Sequence, residues 1–254
     1  MRFFIVAPDN KLFSSYLHPI SLINIYLVAT LYLVATPIGN LDDLSMRAVD
    51  VLRSVSYIAC EDTRTSSVLL KQYDISTETF PFHQHNEHKK VNHLTNLLDA
   101  NQDVALISDA GMPGISDPGF LAVRATHKAG HTVSVIPGPD AATTALVASG
   151  LPCDKYAFEG FLPQKKGRQK RLKELAGEER TLVIYESPHR LIKLLDEIEQ
   201  YMGDQRYIAV ARELTKKFEE IVRGRLETVK QEFELRDDIK GEIAIVIAPK
   251  DYRE

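Results

Sequence analysis

The sequence is short of cysteine, of net positive charge and of any apolar run long enough for a bilayer. Its two cysteines, Cys60 and Cys153, lie far apart and form neither a CxxC pair nor a metal-ligand spacing. A reducing, cytoplasmic setting is therefore the expectation. The formal net charge of −4 argues against a protein that grips nucleic acid with its whole surface, so any RNA or DNA contact must rest on a local basic patch. The uncharged stretch SLINIYLVATLYLVAT spans only residues 21–36, short of the roughly 20 residues that cross a membrane. It has no multi-positive segment before it and no clear cleavage site after it, so it does not read as a signal peptide. Neither GxGxxG nor GxxxxGK[ST] occurs, which leaves a dinucleotide or nucleoside-triphosphate phosphate site without support. Fixed-period repeats and low-complexity tracts are also missing.

What is present suits a soluble α/β protein. The 254 residues, 44% hydrophobic and 26% charged, allow one large domain or two small ones. The segment YLVAT is written twice, at Tyr26–Thr30 and at Tyr32–Thr36. Only the second copy runs into the Pro37–Asn40 turn, so Leu31–Thr36 is expected to be the first strand. Residues 1–30 are then an extension outside the catalytic fold, such as an early start. Further β-branched runs, Ser56–Glu61, Asp103–Ser108 and Thr132–Ile136, alternate with the helical patterns Leu44–Ser54, Ser66–Tyr73, Glu87–Ala100 and Phe120–Ala129. Leu94, Leu97 and Leu98 show the three-and-four spacing. Such a series predicts a parallel sheet with helices packed on it.

A helix at Ala141–Ser149 and the hinge GLPCDKY precede a second alternation. Strands are expected at Tyr156–Phe161, Thr181–Glu186, Tyr207–Ala211, Glu220–Arg223 and Glu242–Ala248, with helices from Gln169, at Pro188–Tyr201 and from Leu226. EEIVRGRLETV followed by GEIAIVIA suggests antiparallel pairing at a sheet edge, hence a mixed second sheet. The expected architecture is two α/β domains, 31–150 with a parallel-type sheet and 151–254 with a mixed one, and a cleft between them.

In open α/β sheets ligands bind beyond the carboxyl ends of the strands. Those ends carry TPIGN, CEDTR, SDAGMPGISDPG, IPGPDAATTA, ESPHR and RELTK, so glycine, proline and acidic residues collect at one rim. Several of these have structural readings. Asp117 before Pro118, like Ser187 before Pro188, reads as a helix N-cap with proline at the first helical position. Asp140 falls in a first helical turn, where the helix dipole favours an anion, and Asp62 reads as the cap of the helix carrying Arg64. Glu61 and Asp109 end apolar strands with no capping role, which favours function. His83, His85 and His88 in FHQHNEH suit a solvated loop better than a metal site, since no cysteine lies near. The one basic cluster, with Lys165, Lys166, Arg168, Lys170, Arg171 and Lys173, follows a strand at the mouth of the expected cleft and so is read as a phosphate contact.

LYLVATPIGNLDDLS, CEDTRTSSVLL, SDAGMPGISDPG, VIPGPDAATTALVASGLP, FEGFLPQKKGRQKRL, YESPHRL, ARELTKKFEEIVRG and GEIAIVIA, in that order, resemble the ribosomal RNA small-subunit methyltransferase I family. That family belongs to the tetrapyrrole-methylase-like enzymes, and the resemblance covers about residues 31–249. Gln84 stands where the family pattern leads one to expect Glu. The resemblance implies S-adenosylmethionine-dependent 2′-O-methylation of a cytidine ribose in the decoding region of 16S rRNA, by a homodimer; that no metal and no membrane are involved is expected from the histidine loop and the short apolar run. It implies cofactor contacts at Thr36, Pro37 and Gly39, along Asp109, Ala110, Gly111, Met112, Pro113, Gly114, Ile115 and Ser116, at Asp140 and Ala141, and at Tyr185 and Arg212. Lys165, Lys166, Arg168, Lys170 and Arg171 become the expected RNA grip. Glu61, Asp109 and Glu186 are the candidate bases, with Arg64 or His189 to orient the hydroxyl or its phosphate. Glu61 with Arg64 is preferred, because ring methylases of this fold share mainly the cofactor loops. The alternatives are a methylase of a corrin ring or a protein histidine, and a non-catalytic ribosome-assembly factor.

Overall fold

The computed structural model describes residues 28–84 and 86–254; the expected extension up to residue 27, and His85, lie outside the described residues. The first half forms β1 (Thr30–Val34), α1 (Met46–Ser54), β2 (Tyr57–Cys60), α2 (Thr63–Gln72), β3 (Glu78–Pro81), α3 (Glu87–Asp99), β4 (Val104–Ile107), α4 (Phe120–Lys128), β5 (Thr132–Ile136) and α5 (Ala141–Ser149). The strand assigned to the second YLVAT copy thus begins one residue earlier than expected, at Thr30. Its sheet is wholly parallel in the order β3-β2-β4-β1-β5. The middle strand β4 is buried at all four positions, as a strand covered on both faces must be. One face packs Leu52, Ile58, Leu69 and Ile107 under α1 and α2; the other packs Leu31, Phe82, Leu94 and Leu98 under α3 and α4.

The second half forms β6 (Tyr156–Phe161), α6 (Arg168–Ala176), β7 (Thr181–Glu186), α7 (Leu191–Met202), β8 (Tyr207–Arg212), β9 (Glu220–Arg225), α8 (Leu226–Glu234) and β10 (Ile243–Ile247). Its sheet, β6-β7-β10-β8-β9, is mixed. Helices α6, α7 and α8 cover one face around Leu172, Leu195, Ile198 and Phe233. Helix α5, which the chain reaches before the hinge, lies on the other face, setting Ala142, Ala145 and Leu146 against Val183, Ala209 and Val246.

Four local expectations need correction. Strand β3 was not foreseen; it is a four-residue edge strand ending in Pro81, with only Phe80 buried, and its apolar signal is correspondingly slight. The last strand does not pair with β9: β10 lies between β7 and β8, and β9 pairs with β8 at the edge. Burial explains this, since β10 is buried at all five positions whereas β9 is half-exposed. The helix expected from Pro188 opens with a 3-10 turn at Pro188–Arg190 before α7. Asp117–Pro118 does not cap α4, which begins at Phe120. Its first amides are instead taken by the buried Glu87 carboxylate, 3.1 Å from both Gly119 N and Leu121 N. A carboxylate there also satisfies the helix dipole.

Candidate active site

The carboxyl ends of the first sheet meet the second sheet around a cavity of about 400 Å³, within the usual range for a small-molecule site. Strands β1 and β4 are neighbours whose crossovers leave in opposite directions, so their loops part at this point and open a crevice. Two backbone hydrogen bonds tie those loops together, Thr36 N to Gly111 O at 2.9 Å and Gly111 N to Thr36 O at 3.0 Å. The Thr36 hydroxyl donates to Ser108 O at 3.1 Å. Thr36 therefore shapes the wall from behind, and its side chain is buried.

Of the residues expected to hold a cofactor, Ala110, Gly111, Met112 and Ile115 line the cavity, as do Ser116, Asp140, Ala141 and Tyr185. Thr36, Pro37, Gly39, Asp109, Pro113, Gly114 and Arg212 do not line it. Gly39 has a different use. A Cβ there would collide with the stem of Lys216 and the hydroxyl of Thr215, so the first turn is shaped to receive the loop after β8. Arg212 is on the far side of β8 from the wall residue Ala211, paired with Glu220. Ile38, Leu214 and Ala244 add an apolar lining that the sequence motifs did not single out.

Beside the cavity the structure gathers Glu61 from the end of β2 with Asp109 and Asp117 from the loop after β4. The Glu61 carboxylate accepts from Asp109 N at 3.2 Å, and the Asp109 carboxylate accepts from Asp62 N at 3.2 Å. Burial, and then the neighbouring acids, raise the carboxyl pKa of both Glu61 and Asp109. Asp117, which itself lines the cavity, is pushed up to about 7 by burial and by the charges of Glu61 and Asp109. Like charges held together favour a shared proton. The Asp-Pro sequence predicts a cap at Asp117, but that signal is local, whereas Glu87, which occupies the helix end, comes from α3.

Arg64 stays outside this group. Its side chain is 90% exposed and turns back on Asp62 at 2.7 Å, while Asp62 caps α2 as expected by accepting from Arg64 N at 2.8 Å. Glu186 borders the cavity but its buried carboxylate is saturated: it accepts from Ser187 N at 2.9 Å, from Arg190 Nε at 2.7 Å and from Arg168 at 3.2 Å.

That last contact corrects the reading of Arg168 as a displayed cation. Its guanidinium is 4% exposed, bridging Glu186 and Glu197. Arg171 is occupied too, gripping Glu159 through Nε at 2.9 Å and through its terminal nitrogen at 2.7 Å. Lys165, Lys166 and Lys173 remain exposed, as does Lys170 beside Glu174. Among the described residues, no group of three or more metal-ligating side chains is assembled, and no helix is long and apolar enough to cross a membrane.

Two α/β units thus meet over a crevice at the strand ends. The family model for Tetrapyrrole (Corrin/Porphyrin) Methylases matches residues 30–230, and the chain belongs to this family, in the branch of ribosomal RNA small subunit methyltransferase I. That branch is shown by curated relatives of that name. The one from Pasteurella multocida is 48% identical over 88% of this chain and 80% of its own length. The one from Thermotoga maritima is 42% identical over 87% of this chain and 99% of its own length. Among solved structures, uroporphyrin-III C-methyltransferase from Thermus thermophilus, in complex with S-adenosylhomocysteine, shares the fold with a TM-score of 0.58 at 19% identity. That likeness covers 86% of this chain and 96% of that one.

Proposed function

We propose that this protein methylates the 2′-hydroxyl of a cytidine ribose in the decoding region of 16S rRNA, with S-adenosylmethionine as the methyl donor. The observation that carries the reading is the 48% identity to a protein named for small-subunit rRNA methylation, sustained over 88% of the chain. The cavity suits the donor. Its wall combines an apolar lining from Ile38, Met112, Ile115, Leu214 and Ala244 with polar groups that include Asp117, Asp140 and Tyr185, the pattern of a cofactor site. The acidic group beside it favours a positively charged ligand. Ala110, Gly111, Met112 and Ile115 with Asp140, Ala141 and Tyr185 are the residues we assign to holding it. When bound, the donor supplies an already activated methyl group, which leaves the chain to position the hydroxyl and take its proton.

We assign that proton to Asp117, backed by Glu61 and Asp109. Asp117 faces the cavity and has a carboxyl poised near neutral pH, where a general base is most effective. The Glu61 carboxylate already receives the Asp109 amide, so its part is to hold the loop and raise its neighbour's affinity for a proton. Glu186, held by two guanidinium groups, is a brace for the wall. Lys165, Lys166 and Lys170 form the RNA grip. We further assign the chain to the cytoplasm and to a homodimer, and place the domain boundary in the hinge after α5. Mapping ribose methylation on small-subunit rRNA from cells with and without this protein tests the reading. One decoding-region 2′-O-methyl group should vanish with the protein; an unchanged map refutes the substrate.

A further inference from the structure

A ribose hydroxyl inside folded RNA reaches a cavity recessed between two sheets only if its nucleotide is drawn out of the stack, and the displaced base then needs a surface. The second sheet provides one through an irregularity in β6. Phe158 pairs with Val183 and Phe161 with Tyr185, but the register slips between Phe158 and Gly160, leaving Glu159 as an extra residue. In a regular strand, residues three apart point to opposite faces. Here both rings reach Tyr185, Phe158 at 5.0 Å and Phe161 at 5.6 Å between centroids. A bulge of this kind re-aims a side chain. Gly160 supports it with φ +57°, and a Cβ there would stand 2.9 Å from the Ser116 hydroxyl on the opposite rim. Arg171 pins the bulged residue by its grip on Glu159. The outcome is a phenyl ring that lines the cavity yet remains 59% exposed. It shares that wall with Ser116 and Asp117, and the exposed Lys165 and Lys166 follow it in the link to α6.

We propose that Phe161 is the stacking platform for the nucleobase of the nucleotide being methylated, an inference that rests on the RNA-methylating reading above. Every base offers a π-face, so the ring supplies affinity, and the adjacent lysines supply phosphate attraction. Tyr185, edge-on to Phe161, fixes the ring so that little freedom is lost on binding.

The test uses the full chain and small ribosomal subunits purified from cells that lack it, with S-adenosylhomocysteine present. Phe161→Ala should raise the Kd for these subunits by roughly 5- to 150-fold, the range of one lost base stack. Phe161→Trp should retain affinity. The salt dependence of binding should keep its slope in Phe161→Ala, and S-adenosylhomocysteine binding by calorimetry should stay within about twofold of wild type. Full affinity in a folded Phe161→Ala protein overturns the inference alone. Lost S-adenosylhomocysteine binding overturns it as well, by assigning the ring to the donor. Wild-type protein with no affinity for the subunits removes the functional reading and the inference together.

Discussion

At the rim of the first sheet, Glu61, Asp109 and Asp117 lie together with no lysine or arginine salt-bridged to any of them among the described residues. At the rim of the second, Glu186, Glu213 and Glu220 are each clamped by a cation: by Arg168 and Arg190, by Lys216, and by Arg212 and Arg236. The first set is pushed up in pKa by burial first and then by nearby acids, Asp62 among them. In the second, Glu213 and Glu220 are pushed down, first of all by the hydrogen bonds from Lys216 and Arg236. Two similar α/β units thus spend their strand-end carboxylates differently, one on proton affinity and the other on fixed shape. Perturbed groups of the first kind cluster where chemistry is done.

The sharpest way to break this comparison is Asp117→Asn. Losing a positioned base should lower kcat roughly 100- to 10,000-fold, with donor binding retained. In wild type the rate should fall as pH drops through about 7, because the carboxyl is protonated below it; in the variant that limb should disappear. Glu61→Gln should act more mildly and shift the wild-type limb to lower pH, since one of the charges that raise Asp117 is gone. A Glu61→Gln enzyme that loses the limb altogether would transfer the base role to Glu61.

The second rim should respond in stability. Arg168→Met takes one of two guanidinium partners from the buried Glu186, which keeps Arg190, and removes the Arg168 contact of the partly buried Glu197; breaking a fully buried pair from one side costs about 3–5 kcal/mol, which is the upper bound here. Thermal unfolding should show a Tm lower by roughly 10 °C, with the pH dependence of the surviving activity unchanged. An Arg168→Met protein of normal Tm and weakened RNA affinity would return Arg168 to the RNA surface. By contrast, Lys165→Glu with Lys166→Glu should leave Tm alone and flatten the salt dependence of RNA binding by about 1–2 in slope.

The elements themselves were legible where one period dominates. Thr132–Ile136, Ala141–Ser149, Tyr156–Phe161 and Thr181–Glu186 have the bounds that the apolar pattern gives them. Partnership between distant segments was not legible. Nothing local in EHKK announces that Glu87 will take the end of α4, and so nothing released Asp117 from its capping role. The basic run was visible as charge, but Glu186, Glu197 and Glu159, which occupy Arg168 and Arg171, are separated from it in sequence. The Phe161 orientation depends on one bulged residue, which an alternating pattern reads as noise. The resemblance to a methylase family marked the part of the cavity wall formed by the loop after β4 with Asp140, Ala141 and Tyr185, whereas Ile38, Leu214 and Ala244 became wall only through the meeting of the two sheets.

The smallest expected effect runs opposite to the largest in the same variant. A carboxyl whose pKa is raised by folding binds its proton more tightly in the native state than in the unfolded chain. Its ionisation therefore works against the fold, beginning as pH rises past the ordinary Asp value and complete once pH passes about 7. Asp117→Asn removes that burden, so the variant should be more stable than wild type at pH 8 and close to it at pH 4. Asp117 is only partly buried, and solvent screening keeps the gain small, a rise in Tm of roughly 2 °C at pH 8. Glu186→Gln should move stability the other way, because Glu186 has guanidinium partners to lose. Equal and opposite signs at the two rims would confirm that one is held under electrostatic strain for catalysis and the other relaxed into a brace; a destabilised Asp117→Asn at pH 8 would show that its charge is compensated after all.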